Sequence, residues 1–310
     1  MAAPTNTFST PPGGTAVGNR EDLSDTIYRI SPTQTPTLSM AAKTKATATL
    51  HEWQTQDLAA PATNAQIEGD DASAKVVTPT VRLNNRTQIS TKTVIVSGTQ
   101  QSVLAAGRKD ELGYQISMAS LELKRDMEQA LTQNNVSGSA PRTTRGLIGW
   151  IVDNVDTGAG YVAASYTGNT GQTDGTQAAF TETRLKNVLQ KQWTAGGMPD
   201  TLMLGGSAKQ TFSTFTGNST RFDKGEDKSL TAAVDIYISD FGDLKAVPNR
   251  FQRTRDVFSL QSDKLAVAYL RPYFLKELAP TGDAEKRELI VEYTLECRAP
   301  KAHGAVYDIQ

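Results

Sequence analysis

The nearest approach to a catalytic motif in this chain is Asp156-Thr157-Gly158. It matches the tripeptide of aspartic proteases, in which two such loops bring carboxylates together to share one proton. No second Asp-Thr-Gly or Asp-Ser-Gly is present, and a Gly/Thr-rich loop follows where a folded β-domain should. The only two histidines, His51 and His303, have no carboxylate or cysteine at metal-ligand spacing, so both are expected on the surface. Gly205-Gly206 lies between a strand pattern and a helix pattern, but it lacks the third glycine and the Lys-Ser pair of a phosphate loop. The one cysteine, Cys297, excludes an internal disulfide framework and a Cys-only metal site, and suits folding in a reducing cytoplasm as a small apolar strand residue. The expectation is a protein without enzymatic activity, with no catalytic residues, cofactor or metal.

Charge narrows the partners. Lys+Arg of 32 against Asp+Glu of 33 leaves no basic field, so any contact with DNA is expected to be local and weak. No apolar run approaches ~18 residues and no charged n-region precedes an apolar h-region, so neither membrane spanning nor standard export is expected. Residues 1–18, rich in Ala, Thr, Pro and Gly, have the composition of a segment ordered only by contacts with other subunits.

The elements around these residues are more telling. Residues 45–56 and 76–96 alternate and are rich in Thr, which predicts the two strands of a long, mostly polar β-hairpin arm. Twelve extended residues reach about 40 Å. Such an arm buries too little to hold itself and leaves strand edges open, so a neighbouring subunit is its natural support. The arm feeds into a predicted helix over 102–133, where Leu112, Ile116, Ala119, Leu123, Met127 and Leu131 make one apolar stripe, with Glu122, Lys124, Arg125 and Glu128 mostly on the remaining surface. Gly107 and Gly113 predict a bent or frayed first third.

Short αβ units follow. A strand or turn is predicted at 146–152, a loop at 153–177, a helix at 181–195 with Leu185, Val188, Leu189 and Trp193 inward, a strand at 201–204 and a helix at 207–215. A strand at 233–239 alternates Val234, Ile236 and Ile238, the strands 256–260 and 265–270 are expected to pair, and 288–298 reads as a long strand. The fold class is α+β without internal repeats.

Four segments carry a resemblance: GNREDLSDTIYRISPTQTPTLS at 18–39, HEWQTQDLAAPATNAQIEGDDA at 51–72, GRKDELGYQISMASLELKRDMEQAL at 107–131, and YLRPYFLKELAPTGDAEKRELIVEYTLECRAPKAHG at 269–304. Together with the element order, they resemble the major capsid (coat) proteins of tailed bacteriophages, of the Hong Kong 97-type fold. The resemblance spans nearly the whole chain and is weakest at loop 156–178. It implies an N-arm at 1–44, an extended β-hairpin loop at 45–97, a P-domain with the spine helix at 98–145 and 251–298, and an αβ A-domain at 146–250 and 299–310. It further implies self-assembly into hexamers and pentamers of an icosahedral or prolate head shell around double-stranded DNA. The scaffolding protein would be separate or dispensable, and portal and decoration proteins are possible partners. The virion is the implied location, with assembly in the host cytoplasm.

Arg20, Glu21, Asp22 and Asp25 in the N-arm, and Glu68, Asp70 and Asp71 at the loop tip, are candidate intersubunit contacts, each worth ~0–1 kcal/mol if solvated. Trp53 is a candidate anchor on a neighbour, with cross-strand packing inside the hairpin as the open alternative. A tail fibre or other structural virion protein would be expected to show repeats or coiled-coil stretches, and an αβ enzyme a catalytic constellation.

Overall fold

A computed structural model of the protein describes residues 31–69, 71, 74, 76–103, 107–215 and 236–310. Arg20, Glu21, Asp22, Asp25 and Asp70 lie outside the described residues. In chain order the elements are α1 (Pro36–Met40), β1 (Ala42–Lys45), β2 (Leu50–Thr55), β3 (Val81–Arg86), β4 (Gln88–Ser97), α2 (Gly98–Ser102), α3 (Glu111–Thr132), β5 (Gly138–Ser139), β6 (Arg142–Thr143) and β7 (Asn154–Asp156). They continue with α4 (Glu182–Thr194), β8 (Thr201–Leu204), α5 (Gly206–Phe212), β9 (Ile236–Ser239), β10 (Gly242–Pro248), β11 (Val257–Leu260), β12 (Leu265–Glu277), β13 (Ala284–Cys297) and β14 (Gly304–Val306).

The first sheet has the order β1-β12-β13-β4. Its longest strand, β13, pairs with β12 on one side and antiparallel with β4 on the other, from Tyr293 opposite Gln88 to Ala284 opposite Ser97. The spine helix α3 packs on this sheet, and its Leu123, Met127 and Leu131 are fully buried in a core shared with Val291, Tyr293 and Leu295. Lys92 of β4 ties sheet to helix from the rim, with Asp126 at 2.9 Å and Glu122 at 3.8 Å.

The second sheet has the order β7-β14-β11-β8-β10-β9. Leu185, Val188 and Leu189 of α4 and Phe212 of α5 join Leu202, Leu204, Tyr237 and Val257 in a second core. The near-C-terminal β14 runs parallel to β7 and antiparallel to β11.

Several expectations are corrected. The expected return strand 76–96 divides at Thr87: β3 pairs with β2 over only six residue pairs, while β4 leaves the hairpin for β13. Thr87 lies at the division: its backbone N–H donates to the Thr49 carbonyl at 2.9 Å, and its hydroxyl donates to the buried Glu292 of β13 at 2.9 Å. Among the described residues, 56–80 contain no strand. The helix expected over 102–133 begins only at Glu111, as α3; a separate short α2, capped by the Ser97 hydroxyl, ends at Ser102, and Gly107 at φ +73° lies between them.

β11 and β12 lie in different sheets, because β11 instead pairs with β8 and β14. On β9 the inward residue is Tyr237, and Ile236 faces outward at 48% exposure. On α4, Trp193 is 60% exposed, while Gln192 is buried and donates to the carbonyls of Ser259 and Ala302 at 3.1 and 3.2 Å. Glu128, expected on the outer surface of the spine, is fully buried.

The core location of Leu123 leads to a direct test. Leu123→Ala should destabilise the subunit by about 2–5 kcal/mol in chemical denaturation. Leu123→Pro, which also breaks the helix, should leave no soluble folded protein.

Candidate functional site

The residues with chemical potential are used structurally. Asp156 pairs with Arg184 Nε at 2.5 Å, and no second carboxylate shares its site among the residues bonded to it. Gly205 and Gly206 begin α5, a helix of seven residues. Cys297 is buried, which pushes its thiol pKa up. His303 corrects the surface expectation. It is fully buried, its Nδ1 accepts from the Gln261 backbone N–H at 3.2 Å, and burial pushes its pKa down to about 4. No group of three or more His, Cys, Asp or Glu among the described residues is placed to hold a metal ion. No described helix is long and apolar enough to cross a membrane.

What the residues do build is a set of ties that hold the β2–β3 hairpin to the body of the protein. Trp53 projects from β2 onto its own subunit: its indole N–H donates to the Cys297 carbonyl at 2.9 Å, and its ring lies 5.3 Å from Trp150, which in turn stacks on Tyr166 at 5.7 Å. Trp53 therefore contacts core residues beyond the hairpin, a partner neither expectation named. His51, two residues back on the same strand face, meets Glu296 of β13 at 3.0 Å. That bond, with those from Arg298 and Thr44, outweighs burial and holds the Glu296 carboxyl at about 2.

On β3, the fully buried Asn85 donates to the carbonyls of Leu295 and Arg145 and the hydroxyl of Thr144, and accepts from the Arg145 N–H at 2.9 Å. One step on, Glu292 gathers Thr87, Arg142 at 2.7 Å and Arg271 at 2.7 Å. Burial opposes its ionisation, but these donors and charges hold its carboxyl below the usual range.

A second anchor lies where α1 meets α3. Glu128 of α3 accepts from the backbone N–H groups of Thr37 at 2.8 Å and Leu38 at 2.9 Å, and from the Asn249 amide at 2.7 Å. The first two are unpaired donors in the opening turn of α1, where a carboxylate is favoured by both hydrogen bonding and the helix dipole.

The Gly/Thr-rich loop is fastened similarly. Asp308 accepts from the N–H groups of Gly158 at 3.2 Å and Gly175 at 3.0 Å and pairs with Arg255 at 2.5 Å. Asp174 pairs with Arg253 at 2.6 Å. Beside them Asp256 is fully buried, and Arg253 lies within ion-pair distance at 3.2 Å without hydrogen-bond alignment. Burial raises the Asp256 carboxyl to about 7, with Arg253 and Arg255 opposing and Asp174 and Asp308 adding to the rise.

Away from these anchors the loop is exposed: Leu58 is 96%, Ile67 80%, Val76 87% and Val77 80% accessible, and Glu68 and Asp71 are likewise on the outside. Sequence reasoning singled out the exposed acids and missed Asn85, Glu128, Glu292 and Glu296. For Asn85 and the two glutamates of β13 the only available signal was a polar residue inside a strand pattern.

This geometry is a scaffold of long-range ties at the foot of an exposed loop. A family model described as SU10 major capsid protein matches residues 3–310. Over 338 residues the chain is 27% identical to the major capsid protein of Escherichia phage Phieco32, covering 94% of each. Among solved structures, one from Gordonia phage Cozz is similar at TM-score 0.62 and 12% identity, covering 98% of both chains. The Cyanophage A-1(L) capsid asymmetric unit is similar at TM-score 0.62 and 15% identity, covering 94% of this chain and 97% of that one. A structure of Phage G major capsid proteins and decoration proteins gives TM-score 0.54 at 12% identity, covering 96% of this chain and 100% of that one.

The fold is the Hong Kong 97-type fold of phage major capsid proteins. The chain belongs to the SU10 major capsid protein family: it is a structural virion protein of a tailed phage, and it forms the head shell.

Asp256 gives the site a pH signature. Its folded-state pKa of about 7 lies above the ordinary 3.8, so the stability it contributes is full below about 4 and is lost as pH rises to about 7. Asp256→Asn should therefore raise the melting temperature more at pH 8 than at pH 4, measured by scanning calorimetry on dissociated subunits. Equal shifts at both pH values would contradict this placement.

Proposed function

We propose that the extended loop is the main gripping element between neighbouring subunits, and that the protein works by many weak contacts and not by catalysis. The observation that carries this reading is the contrast along one segment. The base, β2–β3, is held by Trp53, His51 and Asn85, while residues 56–80 expose Leu58, Ile67, Val76 and Val77. Isolated exposed apolar residues are ordinary, but four on an unpaired polar arm are suited to burial against another surface. Glu68 and Asp71, with Asp70 and the N-arm residues Arg20, Glu21, Asp22 and Asp25, are chargeable groups suited to oppositely charged residues of adjoining subunits.

On this reading the N-arm is 1–44, the extended loop 45–97, the P-domain 98–145 with 251–298, and the A-domain 146–250 with 299–310. β4 is then the segment through which the loop joins the P-domain sheet. Subunits associate as hexamers and pentamers in the host cytoplasm, with a separate scaffolding protein where one is needed, and close around double-stranded DNA. The near-zero net charge supports weak contact with that DNA. Decoration proteins, present in the Phage G structure, are a further class of partner. Modest individual contacts allow misplaced subunits to leave, and the arms multiply them across the shell.

Replacing residues 56–75 with an Asn-Gly turn tests the gripping role. Circular dichroism should show a subunit of nearly unchanged stability, while sedimentation and negative-stain images should show loss of closed shells. Shells as robust as the wild type would remove the loop from this role, and a globally unfolded chain would place these residues in the core.

A further inference from the structure

At the foot of the hairpin a cleft of about 460 Å3 opens beside β3, and three arginines, Arg82, Arg86 and Arg145, line it together with Asn169 and Trp150. No aspartate or glutamate is among its lining residues. Arg145 is only 2% exposed. Its guanidinium lies over the Trp150 ring at 4.9 Å, and its Nη2 donates to the Asn169 side-chain oxygen at 2.8 Å. Its Nη1 is buried without an acceptor. Burial alone lowers its pKa to about 10, with no neighbouring charge acting to hold the proton.

Among the described residues, neither Arg86 nor Arg145 forms an ion pair, and Arg82 meets only Glu52, at 3.6 Å on the exposed side of the hairpin. A buried guanidinium with an unused donor and no counter-charge is costly, and two more cations in the same cleft add to that cost. Arg142 and Arg271 each meet Glu292, Arg253 meets Asp174 and Arg255 meets Asp308. Arg145 meets no carboxylate among the described residues.

We propose that the cleft receives a carboxylate from a second copy of the chain, supplied by Glu68 of that copy's extended loop. A planar guanidinium cluster is matched to a carboxylate, which it binds through paired N–H···O bonds. Glu68 is exposed in a turn beside Gly69, whose φ is +83°, and no cation pairs with it among the described residues. A protein carboxylate is favoured over nucleic-acid phosphate for two reasons. With 32 basic against 33 acidic residues the chain has no field to gather a polyanion. Arg145 is also recessed to a depth that suits one side-chain end. The inference rests on the gripping role of the loop and names the surface that the loop meets.

The test is a charge exchange in the full-length protein, assembled with its scaffold partner where one is required. Arg86→Glu and Glu68→Arg should each lower the yield of closed shells at least tenfold, and the double variant should recover to within threefold of wild type. Melting curves of the single variants should stay within a few degrees of wild type. Arg86→Ala, with an expected threefold or greater loss of yield and increased dissociation by salt, covers the case in which the introduced glutamate disturbs the hairpin.

Single variants that assemble normally, or a double variant no better than the worse single, would overturn the pairing. If replacing residues 56–75 abolishes shells while the exchange gives no rescue, the gripping role stands and this pairing falls. If that replacement leaves shells intact, the gripping role itself falls. A short single-stranded DNA that binds wild-type capsomers but not Arg86→Glu capsomers would reassign the cleft to nucleic acid and overturn the proposal.

Discussion

The subunit depends on one carboxylate buried without a cation. Glu128 is fully enclosed on the spine helix, and among the described residues no lysine or arginine pairs with it. Its two carboxyl oxygens accept from the N–H donors of Thr37, Leu38 and Asn249, which satisfies polar groups that would be costly to bury unpaired. Those donors come from two parts of the molecule, α1 and the segment just after β10, and meet on a third, the helix α3 that carries Glu128. A single side chain therefore fixes where the arm leaves the body and how the spine lies against the second sheet. The arrangement is unforgiving, since losing one donor leaves a buried acceptor partly unsatisfied.

Much of this architecture is legible in the sequence because it rests on periodicity. Leu123, Met127 and Leu131 recur at helical spacing and are buried together, and Leu185, Val188 and Leu189 do the same on α4. What periodicity does not carry is which strand pairs with which. The Thr-rich alternation from 76 to 96 is continuous, yet the chain changes partners at Thr87, whose hydroxyl meets Glu292, some two hundred positions away in another sheet. The same limit explains Glu128 and Trp193. A charged residue beside an apolar stripe is ordinarily solvated, and a tryptophan in line with Leu185 and Leu189 is ordinarily inward. Glu128 turns in because the first turn of α1 arrives from elsewhere in the chain. Trp193 turns out to stack on Phe241 at 5.5 Å, while Gln192 takes the inner position by bonding two loop carbonyls. The acids at the loop tip were visible as charges; the arginine cleft was not, since Arg82, Arg86 and Arg145 form no linear motif.

The extended loop has a gradient of stiffness built from these ties. Within a few residues it passes from Asn85, buried with five hydrogen bonds, through the six pairs of β2–β3, to the unpaired stretch beyond Thr55. The Trp53–Trp150–Tyr166 stack fixes the direction in which the arm sets out, and the distal chain is left to adapt.

The sheet order β1-β12-β13-β4 also governs when the subunit can come into being during translation. β1 and β4 are made early, but each takes its place only beside β12 or β13, so the sheet is closed by strands that leave the ribosome far later. Synthesis proceeds at about 5–20 residues per second, so β4 waits roughly 10–40 s for its partner. Throughout that interval the nascent chain has an arm but no finished body behind it. The sheet that receives the hairpin is therefore complete only once β13 has been made.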